Sequence, residues 1–213
     1  MPLDNKTKVL VERTDSILYY AESDLSKDQG AGWIGGNAPD FFDDQDDLIH
    51  EGNQKYVFYL TLVHPFKPES MISIFIPEDY EEYLENNMYP NCSIKVIEHP
   101  ISTESAKEMF TNPGLIKHFI SEGALSNDKK SIDQPFLIKV GGNPRLIQNE
   151  DNYFTKLREE SFSFLFQVDE DGYPETLVQH DYNYPFGFGS LYIFALIGAT
   201  EIQHPVAGFW QFS

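Results

Sequence analysis

The sequence predicts an α+β fold, mainly antiparallel β with short helices, arranged as two pseudo-symmetric repeated halves of a single domain over residues 1–213. Three observations lead there. Runs such as KYVFYLTLV (55–63), MISIFI (71–76) and FSFLFQV (162–168) are dense in β-branched and aromatic residues and are bounded by turn formers. Helix signals are short and gather in two stretches, 77–87 and 102–125. One block also recurs: Ile34-Gly35-Gly36-Asn37 aligns with Val140-Gly141-Gly142-Asn143 at an offset of 106 residues. At that offset, without a gap, Phe58 falls on Phe164 and Leu62 on Val168.

In chain order, residues 1–29 are polar apart from a strand-like run at Ser16–Tyr20. The first Gly-Gly pair follows, then the acid-rich segment DFFDDQDD (40–47) and the two strands at 55–63 and 71–76. Pro77 opens PEDYEEYLENN, where proline at a first helical position and early carboxylates predict a short helix. Tyr80, Tyr83 and Leu84 would form its apolar side. CSIKVI (92–97) reads as a further strand. Between 102 and 125, STESAKEMF reads as one helix. Asn112-Pro113 restarts a second, with Leu115, Ile116, Phe119 and Ile120 as its apolar stripe and Gly123 as its stop.

The second half repeats the plan. FLIKV (136–140) leads into the second Gly-Gly, then a polar, partly helical spacer runs to Arg158. The 162–168 strand, an Asp171-Gly172 turn, FGFGSLYIFALIG and an aromatic terminal strand AGFWQFS complete it. Beyond the first strands a gap is needed, and Ser73–Ile76 pairs best with Tyr192–Ala195. The expected organisation is a repeat over about 30–98 and 136–213 with a helical connector at 99–135. Two copies are too few for a solenoid. Each Gly-Gly reads as a backbone position of positive φ or close approach. The phosphate-cradle alternative lacks both the G-x-G-x-x-G and the P-loop pattern.

A net charge of −19 repels phosphate backbones and anionic bilayers, so neither nucleic acid nor membrane is an expected partner. The same charge would steer the protein to a basic protein partner, or serve solubility alone. One cysteine, Cys92, and an N-terminus without an apolar h-region lead to the expectation of a cytoplasmic setting. No run reaches the ~18 apolar residues of a membrane-spanning helix.

Candidate chemistry is sparse. Asp40, Asp43, Asp44, Asp46 and Asp47 crowd into eight residues without the glycine and closing glutamate of an EF-hand loop. They read as a solvated acidic loop, or as a patch for lysines and arginines with Phe41 and Phe42 as apolar anchors, or as a cation site. Asp169–Gly172 reads as a hairpin turn. The six histidines show no zinc spacing, and no cofactor or metal motif is present. His180-Asp181 is a His–acid pair whose members, if on a strand, point to opposite faces. There is no nucleophile elbow, and Cys92 reads as a small buried apolar residue. Tyr182, Tyr184, Phe186 and Phe188 alternate, which makes one face aromatic, either core or a partner surface.

KVGGNPRLIQ, FLFQVDED, FGFGSLYIFAL and the terminal FWQ together resemble the YwqG-like family of uncharacterised bacterial proteins. The match covers about 75 residues of the second half and the first half loosely. It departs from the family pattern at Arg145-Leu146-Ile147, at Phe186-Gly187-Phe188-Gly189, and at Thr61, which stands opposite Gln167. The resemblance implies a fold. Through genome neighbourhoods near secreted polymorphic toxins, it also implies an immunity role. The function expected is thus a non-catalytic immunity protein that neutralises a basic toxin domain through its acidic surface. The alternative is an enzyme or small-ligand binder with a pocket between the halves, using Gln167, Asp169 and His180.

Overall fold

The computed structural model describes residues 4–23, 30–50, 52–80, 86–198 and 200–213. Eleven strands appear among them: β1 (Asp15–Glu22), β2 (Gly32–Ile34), β3 (Tyr56–Val63), β4 (Ser70–Pro77), β5 (Lys95–Pro100), β6 (His118–Glu122), β7 (Ser126–Asn127), β8 (Ile138–Gly141), β9 (Phe162–Asp169), β10 (Gly189–Ile197) and β11 (Ile202–Phe212). Helices are short: α1 (Asn5–Val11) and α2 (Thr155–Glu159), with several single 3-10 turns. The fold is mainly antiparallel β.

One sheet takes all eleven strands, in the order β11-β10-β9-β8-β1-β6-β2-β3-β4-β5, with β7 added on β1. Its ends approach each other: β11 packs against β5, Tyr89 N–H donates to the Gly208 carbonyl at 2.7 Å, and Trp210 N–H donates to that of Asn87 at 3.0 Å. The result is a nearly closed, barrel-like sheet. Closure removes most of the free strand edge that an open sheet this wide would expose.

The central pair β1–β6 is flanked by two four-stranded meanders, β2–β5 on one side and β8–β11 on the other. Ile34 faces Leu60 and Gly32 faces Leu62 in the first, while Val140 faces Phe166 and Ile138 faces Val168 in the second. β3 steps its register against β4 between Phe58 and Leu60, and β9 steps against β10 between Phe164 and Phe166. Both steps are β-bulges, which bend a strand and raise its twist as a curling sheet requires.

The alternation of each strand divides the apolar residues. The barrel interior holds one large cluster with Ile17, Tyr19, Leu60, Ile74, Val140, Phe166, Ile193 and Trp210. Two smaller clusters lie on the outer face. One joins Trp33, Phe42, Phe58, Phe75 and Phe110, and the other joins Leu157, Phe164, Tyr192 and Phe209.

Each Gly-Gly turn is locked in a comparable way. The φ values are 68° and 71° at Gly35 and Gly36, and 70° and 61° at Gly141 and Gly142, the left-handed region that glycine enters without a Cβ penalty. The Asn37 N–H donates to Glu104 Oε1 at 3.1 Å, and the Asn143 N–H donates to Asp128 Oδ2 at 3.0 Å. The Trp33 indole donates to the Asn37 carbonyl at 2.9 Å, and Lys139 Nζ donates to the Asn143 carbonyl at 2.8 Å. Each turn therefore presents an amide to an anion, and in each the anion is one of the chain's own carboxylates.

Several expectations fail here. The helical connector at 99–135 is absent: this stretch holds the end of β5, then β6, β7, one 3-10 turn and irregular chain. Its apolar stripe is split, with Leu115 and Ile120 buried and Ile116 exposed. The reason is tertiary, because residues 118–122 fill a gap between β1 and β2 and gain ladder bonds on both sides. The strand expected at 92–97 begins only at Lys95. Asp171-Gly172 lies in a 3-10 turn, and a long loop, not a hairpin, joins β9 to β10. α1 was not expected; its signal is Asp4, whose carboxylate accepts from the Thr7 N–H at 2.7 Å as an N-cap. Tyr83 and Leu84, read as part of a helix, lie outside the described residues.

Candidate functional site

The loop from Tyr173 to Phe188 crosses the mouth of the barrel and is pinned there by buried phenols. The hydroxyls of Tyr59 and Tyr173 are hydrogen-bonded to each other, and Tyr173 donates to the Pro185 carbonyl at 3.0 Å. The Phe186 N–H donates to the Tyr80 hydroxyl at 2.8 Å. Burial raises the Tyr59 and Tyr173 pKa values above the usual phenol range, so both stay protonated. Phe186 plugs the mouth, its ring 5.5 Å from Tyr59, 5.1 Å from Tyr80 and 6.0 Å from Trp210. Asp181, Phe186 and Phe188 all have positive φ, a strained state for non-glycine residues, and at buried Phe186 the ring packing sustains it.

Outside the plug runs a groove of about 460 Å³. Its lining brings together Val57 and Ile76, the carboxylates Glu78 and Asp79, and Tyr80, Tyr182, Asn183 and Tyr184. Two further depressions, of about 510 and 280 Å³, adjoin it through Glu78 and extend it to Glu108 and Asn53. Tyr184 stacks on Tyr173 at 5.7 Å, while the Tyr182 and Tyr184 side chains remain substantially exposed. Carboxylates beside exposed tyrosine rings favour cations, because charge pairing and the ring quadrupole act in the same direction. Glu78 already pairs with the exposed Lys55 ammonium at 3.5 Å, so an incoming cation competes with Lys55 there.

The acidic segment folds into two 3-10 turns, Asp40–Asp44 and Asp46–Leu48. Asp40 accepts from the Thr103 hydroxyl at 2.9 Å, and Asp43 accepts from that of Ser105 at 2.7 Å, with Lys107 Nζ at 3.7 Å. Asp46 lies 3.8 Å from His50 Nε2, and Asp44 and Asp47 face solvent. Phe42 corrects the expectation of two apolar anchors: it is 1 % exposed and packs edge-on against Phe75 at 4.9 Å. Phe41 is half-buried and stacks on His99 at 5.1 Å. The tight 3-10 turn points the aromatic pair inward and leaves Leu48 as the exposed apolar residue of the segment.

Gln167 and Asp169 meet, Gln167 Nε2 donating to Asp169 Oδ2 at 3.1 Å, but the three residues Gln167, Asp169 and His180 do not form one site, and none lines the groove. Gln167 is fully buried and clamps the backbone of Arg145, accepting from its N–H at 2.9 Å and donating to its carbonyl at 3.0 Å. Gln211 does the same to Gln148, and Tyr192 donates to the Arg145 carbonyl at 2.7 Å. Asp169 accepts from Ser190 Oγ at 2.5 Å and from the Asp171 N–H at 3.0 Å. These groups hold the loop after the second Gly-Gly. His180 is on the exposed loop, its Nδ1 2.9 Å from Asp181 Oδ2, so the pair that a strand would separate meets in a turn. Of the aromatic tetrad, Tyr182, Tyr184 and Phe188 are exposed and Phe186 is buried, so the four do not share a face.

Sequence reasoning missed one nucleophile-like pair. Ser73 Oγ lies 2.8 Å from His99 Nε2, while His99 Nδ1 lies 2.8 Å from the Pro100 carbonyl. That carbonyl can only accept, so Nδ1 carries the proton and Nε2 accepts from Ser73. Thr61 Oγ1 completes the chain, 2.9 Å from Ser73. Both Ser73 and His99 are buried beneath Phe41 and Phe42, and neither lines the cleft beside Trp33 and Met71. Burial lowers the His99 pKa. Burial likewise pushes the Cys92 thiol up to about 12, in keeping with an inert thiol. No protein-family model matches this chain, and no curated protein matches it.

Proposed function

We propose that this chain is a non-catalytic binding protein that receives basic side chains of a protein partner in the acidic, tyrosine-lined groove at the barrel mouth. The observation that carries the reading is that Glu78 and Asp79 line the same groove as the exposed tyrosines Tyr182 and Tyr184. A net charge of −19 adds long-range steering, to which exposed Asp44 and Asp47 contribute. The resemblance to YwqG-like proteins narrows the partner to a basic domain of a secreted toxin, which an immunity protein would hold in the cytoplasm.

The two halves are read as copies of one unit. The Gly-Gly-Asn turns with their paired carboxylates, the pairing of Ile34 with Leu60 and of Val140 with Phe166, and the bulges at Tyr59 and Leu165 support a duplication. Each copy would then lend its first strand to the other, since β1 pairs with β8 and β6 with β2.

The test is a titration of the toxin domain encoded beside the gene, at rising salt, against the wild type and a Glu78→Gln/Asp79→Asn variant. Binding at low salt that falls about tenfold in the variant and weakens with salt supports the reading. No binding at low salt removes it. The groove itself favours a second reading, a small-ligand or enzyme pocket, because it is concave and polar with walls from both halves. Binding of a small cation such as agmatine, unaffected by excess toxin domain, would select that reading instead.

A further inference from the structure

A separate cleft of about 470 Å³ opens on the outer face of the first half, among Trp33, Val63, Met71, Ile101, Lys117 and Phe119. It shares no lining residue with the acidic groove. Comparison with the second half explains why it is there. The Ala31 carbonyl accepts from the Val63 N–H at 2.6 Å, and the Leu137 carbonyl accepts from the Asp169 N–H at 2.9 Å. The Ala31 N–H donates to Ile120 at 2.7 Å, and the Leu137 N–H donates to Tyr19 at 2.9 Å. The residues just before them, Gly30 and Phe136, therefore hold the same place in the two halves.

Phe136 is 2 % exposed, and the Arg145 guanidinium lies over its ring at 4.6 Å. In the first half that ring is missing at Gly30, and Pro39 stands two residues past Asn37 where Arg145 stands two past Asn143. The neighbouring walls change from polar to apolar in the same register: Trp33 for Lys139, Val63 for Asp169, Met71 for Ser190. The cleft is the volume that a phenyl ring and a guanidinium fill elsewhere in the same chain, relined for apolar contact.

The chemistry of an occupant follows from what already stands in the cleft. The Lys117 ammonium lies 5.4 Å from the centre of the Trp33 ring and 4.7 Å from that of Phe119, and it is ion-paired with Glu104. A second cation would meet Lys117, and an anion would have to displace Glu104. An aromatic ring instead offers the ammonium another π face and covers Met71 and the half-exposed Ile101. We propose that this cleft accepts an aromatic side chain of phenylalanine size from a protein partner, in the place that Phe136 takes in the second half.

The test uses the full chain and N-acetyl-phenylalaninamide, with N-acetyl-alaninamide and N-acetyl-argininamide as controls. The reporter is the Trp33 indole N–H, followed by proton–nitrogen NMR. A saturable shift with the phenyl probe alone is expected in the wild type. It should vanish in Gly30→Phe, whose ring would fill the cleft from within. A Cβ at Gly30 meets nothing closer than the Gly32 carbonyl at 3.4 Å, and the backbone there is not left-handed, so the substitution can be accommodated. Ile101→Asp, on an exposed position, is the second variant and should weaken the probe several-fold without touching the fold. No saturable shift in the wild type, equal shifts in both variants, or stronger binding of the arginine probe would each overturn the proposal.

Discussion

Replacing Lys139 by methionine should destabilise the protein by about 3–5 kcal/mol, the range for breaking a buried ion pair by removing one partner. Lys139 is 1 % exposed at its side chain, and its Nζ makes three contacts: the Gly141 carbonyl at 2.9 Å, the Asn143 carbonyl at 2.8 Å and Asp128 Oδ1 at 2.8 Å. Methionine keeps the stem's packing and strands all three acceptors, two of them backbone carbonyls that cost about 1–3 kcal/mol each when buried unpaired. Burial depresses the Lys139 pKa in spite of Asp128, so desolvation outweighs the attraction of the pair. Asp128 is also pushed up by burial, but the Asn143 N–H and Lys139 outweigh that, leaving it below the usual carboxylate range. A Lys139→Met/Asp128→Asn double variant should therefore lose clearly less than the sum of the two single variants, by about 1–2 kcal/mol. In the first half, Lys117→Met should cost only about 1 kcal/mol, because Glu104 is 25 % exposed and water can solvate it. The assay is urea unfolding at neutral pH, with equal m-values as the check on a common unfolded state. A loss below about 1 kcal/mol for Lys139→Met, or strict additivity in the double variant, would refute the reasoning.

Acid should weaken the fold through His64. The ring is 1 % exposed, its Nδ1 accepts from the Phe66 N–H at 3.1 Å, and burial holds its pKa down to about 4. The folded value lies below the unfolded one, so the contribution is complete above about pH 6.5 and is lost as pH falls towards 4, by about 3 kcal/mol in all. His64→Asn should flatten stability over that window, measured by urea midpoints at several pH values; an unchanged profile would sink the assignment. Gln167→Ala should free the backbone of Arg145 and cost about 2–4 kcal/mol. Faster hydrogen exchange confined to residues around 145–148 should accompany it, and uniform loss of protection across the sheet would argue against a local clamp.

Much of the sheet was legible from local pattern. The cores of β1, β3, β4, β9, β10 and β11 lie where runs of β-branched and aromatic residues predict strands, and α2 falls in the partly helical spacer. The candidate sites were far less legible. Gln167 and Asp169 looked like polar groups aimed at a pocket, but their partners are the backbone of residue 145 and the hydroxyl of Ser190, distant in sequence. Glu78 and Asp79 meet Tyr182 and Tyr184 only because closure of the sheet brings the end of β4 under the loop before β10.

By itself, the sequence determined the mainly β class of structure, most of the long strands and the two Gly-Gly turns of positive φ. Those depend on side-chain alternation and backbone sterics, which act within a few residues. Tertiary structure alone decided that residues 118–122 form a strand despite a helical stripe, because β1 and β2 offer ladder bonds on both sides. It also turned Phe42 into core, and it left Gly30 at the edge of an open cleft while Phe136 is buried. Which side chain is buried, paired or left open depends on neighbours far along the chain, and no local pattern carries that information.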